Sequence, residues 1–141
     1  MVTIGTNAKF EAAHRQLNDE GKCGFLHGHN WKVEFKITAD ASALNECGYL
    51  VDYKLLKELV SVYDHKVLLN EEDDLVDILV AANQKVMAFP CEPTCENISQ
   101  LLLQDVINLL DDSGIMVDDI TITVWENGNS WATSTYNGDV R

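Results

Sequence analysis

The chain opens on alternation. In residues 2–14, Phe10, Ala12 and His14 fall on one face of an extended segment. In residues 29–39 the pattern is strict: Trp31, Val33, Phe35, Ile37 and Ala39 point one way, and Asn30, Lys32, Glu34, Lys36 and Thr38 the other. A period of two predicts half-buried strands. Residues 15–28 lie between them, carry Gly21, Gly24 and Gly28, and read as a loop. The period then changes. Leu55, Leu56, Leu59, Val60 and Tyr63 form a helical stripe over 53–63, with Asp52 at the N-cap position. A weaker helix is expected over 72–83 and a short strand over 86–89, before Pro90 and Pro93 break the chain. Ile98, Leu101, Leu102, Val106, Leu109 and Leu110 predict a helix over 95–111. Thr94 caps it, Glu96 suits the positive end of its dipole, and Gly114 stops it. Ile120, Ile122 and Val124 begin a hairpin that turns at Asn127-Gly128-Asn129 and returns over 131–136. The order strand, strand, helix, short elements, helix, strand, strand predicts one α+β domain over 1–141, with helices on one face of an antiparallel sheet.

Composition narrows the class. The length of 141 residues suits a single core. No apolar run approaches bilayer length, and no basic segment followed by an apolar block opens the chain, so a cytoplasmic location without a membrane partner is expected. Net charge is -13, and residues 71–141 hold 14 of the 23 acids against only Lys85 and Arg141. That acidity argues against nucleic acid as a partner. Cys23, Cys47, Cys91 and Cys95 are expected to stay reduced.

The chemistry concentrates in Cys23-Gly24-Phe25-Leu26-His27-Gly28-His29, with His14 upstream. His27 and His29 are two apart and leave one face of a strand, which is also the apolar face. Three imidazoles with a vacant fourth position would form a catalytic zinc site, whereas a fourth protein ligand would close it. Cys23 is either that fourth ligand or a free thiol beside the metal, able to act as a general base. Asp64-His65 is either an acid–base pair or a polar helix end. Glu126 continues the inward face after Val124, where a carboxylate needs a partner; it is either a bidentate acceptor for a planar heterocycle or solvated beyond the strand.

Taken together, Phe10-Glu11-Ala12-Ala13-His14, Cys23 through His29, Gly48 through Tyr53, Asp64-His65, Pro93-Thr94-Cys95-Glu96-Asn97 and Glu126 resemble the 6-pyruvoyl-tetrahydropterin synthase superfamily. The likeness is greatest to its 6-carboxy-tetrahydropterin synthase branch, which acts in queuosine and other deazapurine pathways. Three residues separate Cys23 from His27, as in that branch. The resemblance implies the tunnelling fold (T-fold): a four-stranded antiparallel sheet with helices on one side, in subunits that join into a β-barrel and a homo-hexamer built as a dimer of trimers. It implies Zn2+ on His14, His27 and His29, Cys23 as proton acceptor, Asp64 and His65 as a relay, Glu126 as anchor of the pterin ring, and Thr94 and Glu96 along the pocket. The implied substrate is the pterin triphosphate 7,8-dihydroneopterin triphosphate, with Arg15, Lys22 and Lys54 as candidate cations for its phosphates. A 6-pyruvoyl product, or a non-catalytic zinc-binding assembly module with Cys23 on the metal, are the alternative readings.

Overall fold

The computed structural model describes residues 1–138. Both N-terminal alternations become strands of thirteen residues, β1 (Val2–His14) and β2 (His27–Ala39). They pair antiparallel along their whole length, from Val2 opposite Ala39 to His14 opposite His27. The expected loop therefore ends two residues early, and the histidines sit at the closed end of a long hairpin. After it come α1 (Tyr53–Ser61), β3 (Lys66–Asn70), α2 (Leu75–Ala81), β4 (Val86–Phe89), α3 (Cys95–Asp112), β5 (Asp119–Trp125) and β6 (Trp131–Asn137).

The sheet is larger than the four antiparallel strands expected. Its order is β4-β3-β1-β2-β5-β6. Strands β1, β2, β5 and β6 form an antiparallel block, and β3 and β4 extend it in parallel. The architecture is thus α+β with a mixed six-stranded sheet. Of the two added strands, β3 is the unexpected one: Leu68 and Leu69 are both fully buried, so it carries no period-two signal.

The caps follow the sequence. The Asp52 carboxylate accepts from the Lys54 N–H, and the Thr94 hydroxyl accepts from the Asn97 N–H. Helix α1 is two residues shorter than its stripe predicted, because residues 62–65 turn sharply into β3. In that turn His65 adopts a left-handed φ of 58°. Leu55, expected inside, is exposed, while Leu56, Val60 and Tyr63 are buried. Helix α2 starts late, since residues 71–74 form a turn in which the Asp73 carboxylate accepts from the Leu75 N–H at 2.8 Å.

One face of the sheet holds the core. Phe10, Trp31, Phe35, Ile37, Ile120, Ile122 and Val124 share a cluster with Leu56, Val60, Ile98, Leu102, Val106 and Leu110 from α1 and α3. Among the described residues no helix is long and apolar enough to cross a membrane. Leu102 is fully enclosed at the centre of α3, so Leu102→Ala is expected to cost about 3 kcal/mol, which urea denaturation followed by circular dichroism will measure.

Candidate functional site

Register builds the site. His14 faces His27 directly across the β1–β2 pair, and His29 faces Ala12. Residues 12 and 14 share a face, as do 27 and 29, so the three rings come together on the core side of the sheet. Their centroids lie 4.6, 5.2 and 4.8 Å apart. Trp31 stands edge-on to both His14 and His29, and its indole N–H donates to the Ala12 carbonyl at 3.1 Å. It forms an apolar wall behind the rings.

Two backbone carbonyls orient the imidazoles. His14 Nδ1 lies 2.7 Å from the Pro93 carbonyl oxygen, and His27 Nδ1 lies 2.7 Å from that of Phe25. A carbonyl only accepts, so each Nδ1 carries the proton and each Nε2 presents a lone pair. Those two Nε2 atoms are 3.1 Å apart. Glu126 Oε1 lies 3.2 Å from His14 Nε2 and 3.2 Å from His29 Nε2. The four ligand atoms of His14, His27, His29 and Glu126 all fall within 4.8 Å of one another. His29 Nε2 is shielded from solvent and makes no aligned hydrogen bond, although the carboxylate is close. The spacing is that of an ion pair, but the direction does not suit a hydrogen bond. Electron-rich atoms turned toward a common point repel unless a cation lies among them. The donor set therefore fits a bound metal ion.

Protonation agrees with this. Burial is the main cause that lowers the pKa of His14 below the ordinary 6.5, and the neighbouring His27 and His29 add to it against the opposing pull of the Pro93 hydrogen bond and Glu126. His29 is lowered as well, mainly by burial. Both rings are held neutral at pH 7, as ligation requires.

The remaining expected residues are placed as follows. Cys23 lies in a single tight turn, Lys22–Gly24, and is half-buried and outside the four-residue group. Its carbonyl accepts from the Gln16 N–H at 2.8 Å. Gly24 is required there, since a Cβ would come within 2.3 Å of the Asp19 carbonyl oxygen. Asp64 and His65 do pair, with His65 Nδ1 donating to Asp64 Oδ2 at 2.9 Å. The other carboxylate oxygen accepts from the Glu11 N–H at 2.9 Å, and the His65 N–H donates to the Glu11 carbonyl at 2.7 Å. Strand β3 thus holds the pair against β1, and His65, His29 and Asn127 border one open groove. Thr94 is occupied as a helix cap, and Glu96 is exposed while its carbonyl accepts from the Ser99 hydroxyl. Arg15 is engaged by Asp73, with Nε donating to Oδ2 at 2.7 Å. Its charge serves to hold the turn before α2.

Three contributors went unread in the sequence: the carbonyls of Phe25 and Pro93, and Trp31 as a wall. A carbonyl leaves no mark on residue identity. All four cysteines are free. Burial pushes the Cys95 thiol up to about 12, which leaves it unreactive.

Comparison with known proteins identifies relatives of the chain. A family model described as 6-pyruvoyl tetrahydropterin synthase matches residues 3–137. A 6-carboxy-5,6,7,8-tetrahydropterin synthase of Rickettsia bellii is 31% identical over 120 residues, covering 80% of this chain and 86% of its own. The 6-pyruvoyl tetrahydropterin synthase of Plasmodium falciparum superposes with a TM-score of 0.69 at 20% identity, over 96% of this chain and 98% of its own. That of Caenorhabditis elegans gives 0.57 at 23% identity, over 97% and 95%. At these identities the two structures show the shared fold.

A pH dependence follows from the lowered pKa values of His14 and His29. With folded pKa values below 6.5, the folded metal-free chain binds fewer protons than the unfolded one as pH falls through that value. Stability is then full above 6.5 and is lost on acidification toward the folded pKa. Thermal melts of chelator-treated protein on either side of this value should show Tm falling with pH, with a flatter slope in His29→Gln.

Proposed function

The chain belongs to the 6-pyruvoyl tetrahydropterin synthase family, and we propose that it is a zinc-dependent 6-carboxy-5,6,7,8-tetrahydropterin synthase. It would convert 7,8-dihydroneopterin triphosphate and water into 6-carboxytetrahydropterin, acetaldehyde and triphosphate, in deazapurine biosynthesis of the queuosine type. The observation that carries this reading is the convergence of His14, His27 and His29 through Nε2 while Cys23 stays outside the group. Three imidazoles suit zinc, and an uncoordinated cysteine suits proton transfer. The name of the Rickettsia bellii relative and the spacing of Cys23 from His27 favour the carboxy-forming branch.

Zinc held by the three imidazoles would supply a Lewis acid that polarises the hydroxyl oxygens of the substrate side chain. The protein's own groups would do the rest. The Cys23 thiolate takes a proton from the carbon chain. Asp64 holds Nδ1 of His65 and leaves its exposed Nε2 to pass a proton in the other direction. The Glu126 carboxylate accepts two N–H donors from the pterin ring. The redox change is internal to the substrate, so nicotinamide and flavin have no part in it. The enzyme would act in the cytoplasm as a homo-hexamer, a dimer of trimers. The sheet face turned away from the helices, carrying Thr3, Asn7, Lys36, Thr121 and Thr123, supports a barrel assembly because no element among the described residues covers it.

Incubation with 7,8-dihydroneopterin triphosphate, with the product identified by mass, should give the 6-carboxy compound and acetaldehyde; a 6-pyruvoyl product would overturn the branch assignment. Cys23→Ala should lower kcat by about 10²–10⁴ and leave bound metal at the wild-type stoichiometry. Loss of the metal from that variant would make Cys23 a ligand instead.

A further inference from the structure

Glu126 is given one task by the proposed reaction and another by the geometry. An anchor for a pterin ring has to face outward to a ligand, with both carboxylate oxygens free to accept. Here Oε1 is instead turned onto the histidines, 3.2 Å from Nε2 of both His14 and His29. Four ligands on bonds of 2.0–2.1 Å in a tetrahedron stand about 3.3–3.4 Å from each other. Three of the six spacings are close to that edge length, His14–His27 at 3.1 Å and Glu126 to His14 and His29 at 3.2 Å, and all six lie within 4.8 Å.

Hydrogen bonding does not account for the position. The proton of His14 is committed to Pro93, so its Nε2 has none to offer the carboxylate. His29 Nε2 has no aligned partner. A carboxylate set against a lone pair in a partly enclosed site is costly unless a cation sits between them. The hairpin supports the placement. The Glu126 N–H donates to the Ser130 carbonyl at 3.0 Å, and Asn127 Oδ1 accepts from the N–H groups of Asn129 and Ser130. The backbone at residue 126 is thereby pinned, and the side chain alone is left to choose its target.

We infer that Glu126 is the fourth metal ligand in the substrate-free protein and leaves the metal to receive the pterin ring, so that ring binding itself opens the coordination position. This rests on the metal reading proposed above. Closing the site through Oε1 and accepting two N–H donors across both oxygens call for different directions of one carboxylate, so the two roles alternate. The site would be protected from adventitious ligands at rest and would open only in the presence of a molecule bearing the pterin donor edge.

The test uses Co2+, whose visible spectrum reports its ligands, and 6-methylpterin, which has the ring but no side-chain hydroxyl to reach the metal. The full-length chain is compared with Glu126→Ala and Glu126→Gln, each checked for native circular dichroism. Both variants should bind Co2+ about 10- to 100-fold more weakly than wild type, with an altered visible band. Adding 6-methylpterin should shift the wild-type band and leave that of Glu126→Ala unchanged. Wild-type affinity and spectrum in both variants would overturn the inference. A wild-type band that does not respond to 6-methylpterin, despite weakened binding in the variants, would overturn the exchange and make Glu126 a permanent ligand. His27→Ala separates this from the underlying reading: if it binds Co2+ as wild type does, the metal centre itself is misassigned.

Discussion

The structure depends on a repulsion that the fold enforces. Pro93 and Phe25 each take the Nδ1 proton of a histidine through a backbone carbonyl. The opposite nitrogens are left to face one another at 3.1 Å with a carboxylate beside them. A chain free to relax would rotate these rings apart. This one cannot, because His14 is completely buried and Trp31 lies against two of the rings. Packing elsewhere supplies the free energy that holds the arrangement, and a bound cation would recover it.

The long hairpin explains how that is possible. Thirteen paired residues on each strand lock the register of β1 against β2, and a slip of one residue would carry His14 away from His27 to the other face. Strand β5 then pairs with β2 from Lys32 opposite Trp125 to Thr38 opposite Asp119, which brings Glu126 level with the same end of the sheet. The parallel strand β3 does the equivalent for Asp64 and His65 on the other side of β1. One end of the sheet thus gathers residues from positions 14, 27, 29, 64, 65 and 126. The buried His14 and the strained His65 are places where the chain departs from what local stability alone would favour.

Much of this could be read before any coordinates. Strict alternation identified β2, the leucine stripes identified α1 and α3, and Asp52 and Thr94 cap where capping chemistry placed them. The three histidines were legible because they extend apolar faces whose direction a period of two determines. What escaped detection shares one cause: it depends on contacts distant in sequence or on atoms that every residue has. Leu68 and Leu69 are buried together because a parallel strand has neighbours on both sides, so β3 had no alternation to show. The carbonyls of Phe25 and Pro93 are backbone. The closeness of Glu126 to His14 follows from β2 lying between β1 and β5, which only the strand order reveals. The Arg15–Asp73 pair, 58 positions apart, was hidden in the same way, and it removed a cation that the sequence had offered to phosphate.

The central claim is that imidazole nitrogens, with no sulfur among them, grip one zinc ion at the end of the β1–β2 hairpin. X-ray absorption at the zinc edge of the purified, zinc-loaded protein tests this most directly. The account predicts a first shell of nitrogen and oxygen only, at about 2.0–2.1 Å, with the outer scattering of imidazole rings. A sulfur neighbour at about 2.3 Å would place Cys23 on the metal and contradict it.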